Sequence, residues 1–81
     1  MKKITVGIEG MMCGMCEAHV NDAIRKEFSV KKVSADRKNK QAVILSETEI
    51  PEDALKNVID PTGYTMTSYN CEEYVRKGLF G

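Results

Sequence analysis

Apolar residues along this chain follow two different periods, and the order of those periods restricts the fold more than any other feature. Ile4, Val6 and Ile8 recur at every second position, which indicates a half-buried strand over about residues 2 to 9. A recurrence every four residues follows and indicates a helix over about residues 14 to 28. The residues that recur in this second pattern are Cys16, Val20, Ile24 and Phe28. The chain therefore begins with a strand and a helix.

The rest of the chain adds a hairpin, a second helix and a last strand. Two short β-branched stretches, residues 30 to 36 and 41 to 46, flank a polar turn and indicate a hairpin. Pro51 suits the first position of a helix, and that helix should end near Asp60, because the residue before a proline is disfavoured in helical geometry. The alternation over residues 64 to 69 indicates a final strand.

The resulting order, βαββαβ, predicts an α+β fold of the ferredoxin-like kind. The crossover rule folds it into a four-stranded antiparallel sheet with both helices on one face. The first and last strands are then antiparallel neighbours, so the loop after the first strand should lie beside Gly63 and Tyr64. We expect one domain over residues 1 to 70 and a charged tail over residues 71 to 81.

Composition excludes several classes of function. The 81 residues carry 12 basic and 12 acidic side chains, and this balance gives no general attraction to nucleic acid. No apolar run is long enough for a signal peptide or a membrane span, so a cytoplasmic protein is expected. Three cysteines cannot all pair within one molecule, which favours reduced thiols.

Cys13 and Cys16 are the residues that point to chemistry. They are two residues apart, and the second falls in the first turn of the predicted helix, where the helix dipole favours the thiolate. Two thiolates are too few for a structural zinc site, and the chain's single histidine, His19, offers no second motif. The pair suits a soft ion that accepts low coordination, above all Cu(I).

Residues 10 to 16, Gly-Met-Met-Cys-Gly-Met-Cys, resemble the Gly-Met-x-Cys-x-x-Cys signature of the heavy-metal-associated domain family. That family includes small copper chaperones and the metal-binding modules of copper-transporting ATPases. The resemblance extends over about residues 2 to 70, because the strand before the motif, the helix after it and the Gly63-Tyr64 pair stand where the family has them.

The resemblance implies a non-enzymatic protein that holds one soft metal ion through Cys13 and Cys16 and passes it to a partner's similar site. It also implies that Met11 anchors the loop by packing into the core and that Tyr64 screens the metal. Cu(I) is the expected ion, with Zn(II), Cd(II) and Hg(II) as alternatives. The expected partner is the metal-binding domain of a copper-transporting ATPase or a similar domain. We expect a monomer without metal, with a metal-bridged dimer as an alternative for the loaded form.

Other readings of the sulfur-bearing residues remain open. Cys-x-x-Cys near a βα unit is also the pattern of dithiol/disulfide oxidoreductases, although the chain has no tryptophan and is short for that fold. Met12 and Met15 should face solvent, and an auxiliary ligand or docking role is the alternative for each. The predicted topology places Cys71 about 20 Å from the pair, so a spare thiol or an intermolecular disulfide is expected there.

Overall fold

Four strands and two α-helices follow one another in the predicted order. The computed structural model describes residues 1 to 74. Its elements are β1 (Lys2–Glu9), α1 (Gly14–Glu27), β2 (Lys32–Asp36), β3 (Gln41–Ser46), α2 (Glu52–Ile59), a short 3-10 helix (Asp60–Thr62) and β4 (Thr65–Glu73). The predicted α+β, ferredoxin-like fold is confirmed.

The sheet has the strand order β2-β3-β1-β4, and every neighbouring pair is antiparallel. The central strand β1 pairs on both sides, so that Ile4 lies opposite Ile44 of β3 and opposite Cys71 of β4. Helix α1 packs against β2, α2 packs against β4, and the two helices contact each other. Both helices therefore cover the same face of the sheet.

The core lies between this face and the helices. The period-two residues of β1 are fully buried, and the period-four residues of α1 meet them, because each pattern places its apolar side chains on one side of its element. The core residues are Ile4, Val6, Ile8, Met11, Val20, Ile24, Val33, Ala42, Ile44, Ile50, Leu55 and Ile59. No helix within residues 1 to 74 combines the length and the apolar character needed to cross a bilayer.

The last strand is longer than the sequence indicates. Residues 71 to 73, predicted from the sequence to begin a tail, continue β4 and pair with the start of β1. Glu73 ends the strand beside Lys2, whose Nζ lies 2.7 Å from Oε1, and beside the terminal ammonium, which lies 3.4 Å from Oε2. The charged residues that suggest a tail thus form the end of a strand, and ion pairs of Glu73 hold that end in place. Residues 75 to 81 of the predicted tail lie outside the described residues.

Other boundaries differ from prediction by a residue or two. Pro51 is the N-cap of α2 and not its first helical residue. The chain leaves the α-helix after Ile59 but keeps turning as a 3-10 helix through the Asp60-Pro61 bond. Its C-cap is Gly63, with φ of 94°, a left-handed conformation that glycine adopts without steric cost.

Polar side chains of α1 cover the outer edge of β2. Asn21 Oδ1 accepts a hydrogen bond from the backbone N–H of Ala35 at 2.9 Å, and one turn earlier Glu17 Oε2 accepts one from Arg37 at 2.8 Å. Glu17 also pairs with the Arg37 guanidinium at 3.5 Å. These contacts satisfy N–H groups at a sheet edge and fix the first turn of α1 to the β2–β3 turn.

Candidate metal centre

The segment between β1 and α1 carries the cysteine pair at one end of the molecule. β1 ends at Glu9, and Gly10 turns the chain with φ of 107°. Met11 follows and is 9% exposed, packed into the core cluster. This is the position that the family resemblance implies for it. The loop is therefore held at its base by one apolar side chain while the residues beyond it reach the surface.

Tyr64 lies directly beside this loop. A Cβ atom built on Gly10 would stand 3.1 Å from Tyr64 Cδ1, so the ring approaches the backbone where no side chain intervenes. Gly63 precedes Tyr64, and its backbone N–H donates to the carbonyl of Asp60 at 3.0 Å. The predicted meeting of the first loop with the start of the last strand is confirmed.

Cys13 and Cys16 bring their sulfur atoms to 3.9 Å from each other. Cys13 is the N-cap of α1, with an extended backbone, and its carbonyl accepts hydrogen bonds from the N–H groups of Cys16 and Glu17 at 3.0 and 3.3 Å. The Cys13 side chain is exposed, whereas Cys16 is half-buried against the core. The helix start thus places both sulfurs on one side of the loop, with the first more open to solvent.

The surroundings of Cys16 favour its charged form. Hydrogen bonding from the Tyr64 hydroxyl is the largest effect, followed by the backbone amides of Met12 and Cys13, and together they lower the pKa of the Cys16 thiol to about 7. The same contact raises the pKa of Tyr64 above its ordinary value. Since negative charge at the start of a helix is also favoured, a large fraction of Cys16 is thiolate near neutral pH.

The remaining candidate ligands lie apart from the pair. Thr65 lies opposite Glu9 at the loop end of β4, whereas Cys71 lies opposite Ile4, about 20 Å further along the strand. His19 is exposed on α1. Within residues 1 to 74 no group of three His, Cys, Asp or Glu side chains is arranged to hold a metal ion. In the described part of the chain the two thiols therefore lie together without a third side chain of these types arranged beside them.

Two features of the site were not foreseen from the sequence. The Arg37 guanidinium reaches across from the β2–β3 turn and lies 3.5 Å from the position that a Cβ on Gly14 would occupy. Gly10 accommodates the Tyr64 ring. The topology places Tyr64 beside the loop but does not single out Gly10, and nothing in the periodicity of the chain connects Arg37 with the start of α1.

Comparison with known proteins places the chain among metal-binding domains. The sequence model of the heavy-metal-associated domain matches residues 5 to 65. A copper-binding domain of HMA7, a P-type ATPase, is 26% identical with a TM-score of 0.72, over 85% of this chain and 97% of that one. Oxidized MerP from Ralstonia metallidurans CH34 is 26% identical with a TM-score of 0.69, over 83% and 96%.

A third structure shares the fold alone. The N-terminal domain of ZntA in its Zn(II) form is 20% identical, with a TM-score of 0.72 over 82% of this chain and 89% of that one. No curated protein sequence matches the chain.

Proposed function

The chain belongs to the heavy-metal-associated domain family, and from that premise we propose that it carries Cu(I). Cys13 and Cys16 bind the ion, and delivery occurs by thiolate exchange with a similar domain of a partner protein. Family membership itself makes this a metal-binding protein and not an enzyme.

The separation of the two sulfurs is the observation that carries the proposal. With metal–sulfur bonds of about 2.3 Å, the 3.9 Å between the Sγ atoms corresponds to an angle of about 115° at a shared ion. A linear two-coordinate ion would need the sulfurs only about 0.7 Å further apart. The exposed Cys13 can supply that adjustment, because its side chain is free at the surface.

The donor set favours Cu(I) over harder ions. Zn(II) in closed protein sites generally takes four ligands, whereas a soft monovalent ion is satisfied by two thiolates. Within residues 1 to 74 no histidine, further cysteine or carboxylate is placed to join the pair as a third ligand. Zn(II), Cd(II) and Hg(II) are the alternative cargoes, since each binds thiolates well.

Unequal exposure of the two cysteines suits stepwise transfer. Cys16 is half-buried, and the Tyr64 contact helps hold it as a thiolate, so it keeps the ion in place. The more exposed Cys13 is the ligand that a partner's thiolate displaces first. Exchange then passes through a three-coordinate ion that bridges both proteins, and the low coordination of the resting site leaves room for it.

The proposed partner is the metal-binding domain of a copper-transporting ATPase or another domain of this fold. Similarity to the copper-binding domain of HMA7 supports this class of partner. Such an exchange takes place in the cytoplasm, where thiols stay reduced. We expect a monomer in the absence of metal, and a dimer that shares one ion as the alternative loaded form.

Metal competition on the reduced protein tests the proposal. Under anaerobic conditions the wild type should take one Cu(I) from a chromogenic chelator, and Cys13→Ser or Cys16→Ser should abolish tight binding. Cys71→Ser is the matched control and should bind as the wild type does. Retention of tight binding in Cys13→Ser, or preference for Zn(II) in direct competition, would overturn the assignment.

A dithiol/disulfide oxidoreductase is the second candidate, because the pKa of Cys16 near 7 and the short sulfur separation also suit thiol exchange. Reduced protein without metal should then reduce a model disulfide efficiently. We expect slow reduction, because half-buried Cys16 carries the lowered pKa.

A further inference from the structure

We propose that Met12 and Met15 form an auxiliary thioether site that contacts a soft monovalent ion beside the cysteine pair and favours Cu(I) or Ag(I) over Zn(II). This inference rests on the proposed function and adds two donors to it.

Exposure separates the four methionines that follow Met1 into two groups. Met11 is 9% exposed and Met66 packs against the core, as expected for residues that fill gaps between other apolar side chains. Met12 is 84% exposed and Met15 is 67% exposed. Burial therefore explains the first group and gives the second group little stabilisation.

The exposed methionines are concentrated at one place. Within residues 1 to 74 the exposed large apolar side chains are Met12, Met15 and Tyr74. Both methionines adjoin the cysteine pair, each standing directly before one of the two cysteines. An unbranched side chain with three rotatable bonds has the reach to bring its sulfur to an ion held by the neighbouring residue.

The chemistry of the thioether determines which ion would benefit. Methionine sulfur is soft and uncharged, so it suits Cu(I) and Ag(I), whereas Zn(II) is better served by thiolate, imidazole or carboxylate. Two thiolates and a monovalent ion already carry a net negative charge. A thioether raises the coordination number without adding to that charge, and a partner's thiolate displaces it easily. The site would thus gain selectivity for a soft monovalent ion and still allow a partner's thiolate to enter.

Methyl resonances of ¹³C-methyl-methionine provide a direct test on the full chain. One equivalent of Ag(I), a redox-stable stand-in for Cu(I), should move the resonances of Met12 and Met15, assigned with Met12→Leu and Met15→Leu. The buried Met11 and the core-packed Met66 are internal controls and should stay in place. Zn(II) at the same cysteines should leave all four unmoved.

The outcomes separate this inference from the proposed function. Thiolate-to-silver absorption without any methyl shift would overturn the thioether site and leave the cysteine carrier standing. Equal shifts with Ag(I) and Zn(II) would also overturn it, because the methyl groups would then report proximity alone. If no ion produced thiolate-to-metal absorption, the proposed function itself would be contradicted.

A double variant supplies an independent readout. Leucine retains the apolar bulk of methionine and removes the sulfur, so Met12→Leu/Met15→Leu isolates the donor atom. We expect Cu(I) affinity to fall about tenfold, the scale seen when supporting groups at metal sites are lost, with Zn(II) affinity unchanged. Unchanged Cu(I) affinity would contradict the proposal.

Discussion

Of the groups around Cys16, Tyr64 does most to lower the pKa of its thiol, and it links the residue that precedes β4 to the first turn of α1. Tyr64→Phe removes the hydroxyl and leaves the ring. We expect the pKa of Cys16 to rise from about 7 by about one unit, while the backbone amides still hold it below its ordinary value. Alkylation rate against pH, in a background that lacks the other two cysteines, measures this. An unchanged pKa would show that the hydroxyl does not act on the thiol.

Stability should increase with pH near neutrality. The folded protein lowers the pKa of Cys16 from 9.0 to about 7, so between these values the unfolded chain binds more protons than the folded one. The free energy of unfolding should therefore rise from pH 7 to pH 9, and this contribution should disappear as the pH falls through 7. Groups with raised pKa, Lys2, Tyr64 and Tyr69, act only at about pH 10 and above.

Urea denaturation of the reduced apo protein at several pH values measures this dependence. Cys71→Ser should keep the rise, and Cys16→Ser should lack it. A rise that persists in Cys16→Ser would assign the effect to another group.

Substitution of Gly10 should be costly, whereas substitution of Gly14 should not. Gly10 has φ of 107° and would direct a Cβ at the Tyr64 ring, so Gly10→Ala should destabilise the fold by about 2 kcal/mol. Gly14 has no contact closer than 3.5 Å at that position and lies in α1, so Gly14→Ala should stabilise by about 0.5 kcal/mol. Thermal unfolding of both variants checks this, and similar effects for the two would refute it.

Lys40 is a site for stabilisation by glycine. It is the one non-glycine residue within residues 1 to 74 with positive φ, 53°, and its carbonyl accepts a hydrogen bond from Ile8 at 2.8 Å. Lys40→Gly relieves the strain of the left-handed backbone and should stabilise by about 1 kcal/mol. Lys38→Gly, in the same turn but without positive φ, should destabilise. Chemical denaturation of the two variants should give changes of opposite sign.

Asn21 should matter for stability more than its neighbour Asp22. Asn21→Ala leaves an N–H of the β2 edge without its partner and should cost about 1 kcal/mol. Asp22 makes a 4.0 Å pair with Arg25 at the surface, so Asp22→Ala should change stability by less than about 0.5 kcal/mol. Equal losses of unfolding free energy in urea titrations of the two variants would mean that the Asn21 hydrogen bond to β2 adds no more stability than the surface ion pair.

The element order could be predicted because the apolar periods are regular. Ile4, Val6 and Ile8 alternate without interruption, and the helix residues repeat every four positions, so local pattern and tertiary packing agree. The end of β4 was missed because its charged residues satisfy no pattern of their own. They are stabilised by Lys2 and the terminal ammonium, which lie more than 70 residues away in the sequence.

The candidate site likewise combines features that a local pattern predicts with contacts that depend on residues distant in the sequence. The cysteine spacing and its place at a helix start were readable from the motif, and the neighbourhood of Tyr64 followed from the topology. The Glu17–Arg37 pair was not predictable, because it joins two polar residues on different elements and neither belongs to a motif. Such contacts depend on how the helix crosses the sheet, which no local pattern specifies.

Pairing of β1 on both flanks has a consequence for how the molecule responds to cargo. The amides of β1 should be among the slowest in the protein to exchange with deuterium, and only a few positions beyond Ile8 the chain enters a loop whose next residues reach solvent. Loading should therefore alter exchange in the loop and first helical turn and leave the sheet as it was. Small-angle scattering profiles of the empty and loaded monomer should then superimpose, because the ion binds to a short loop and the sheet that carries the loop does not move.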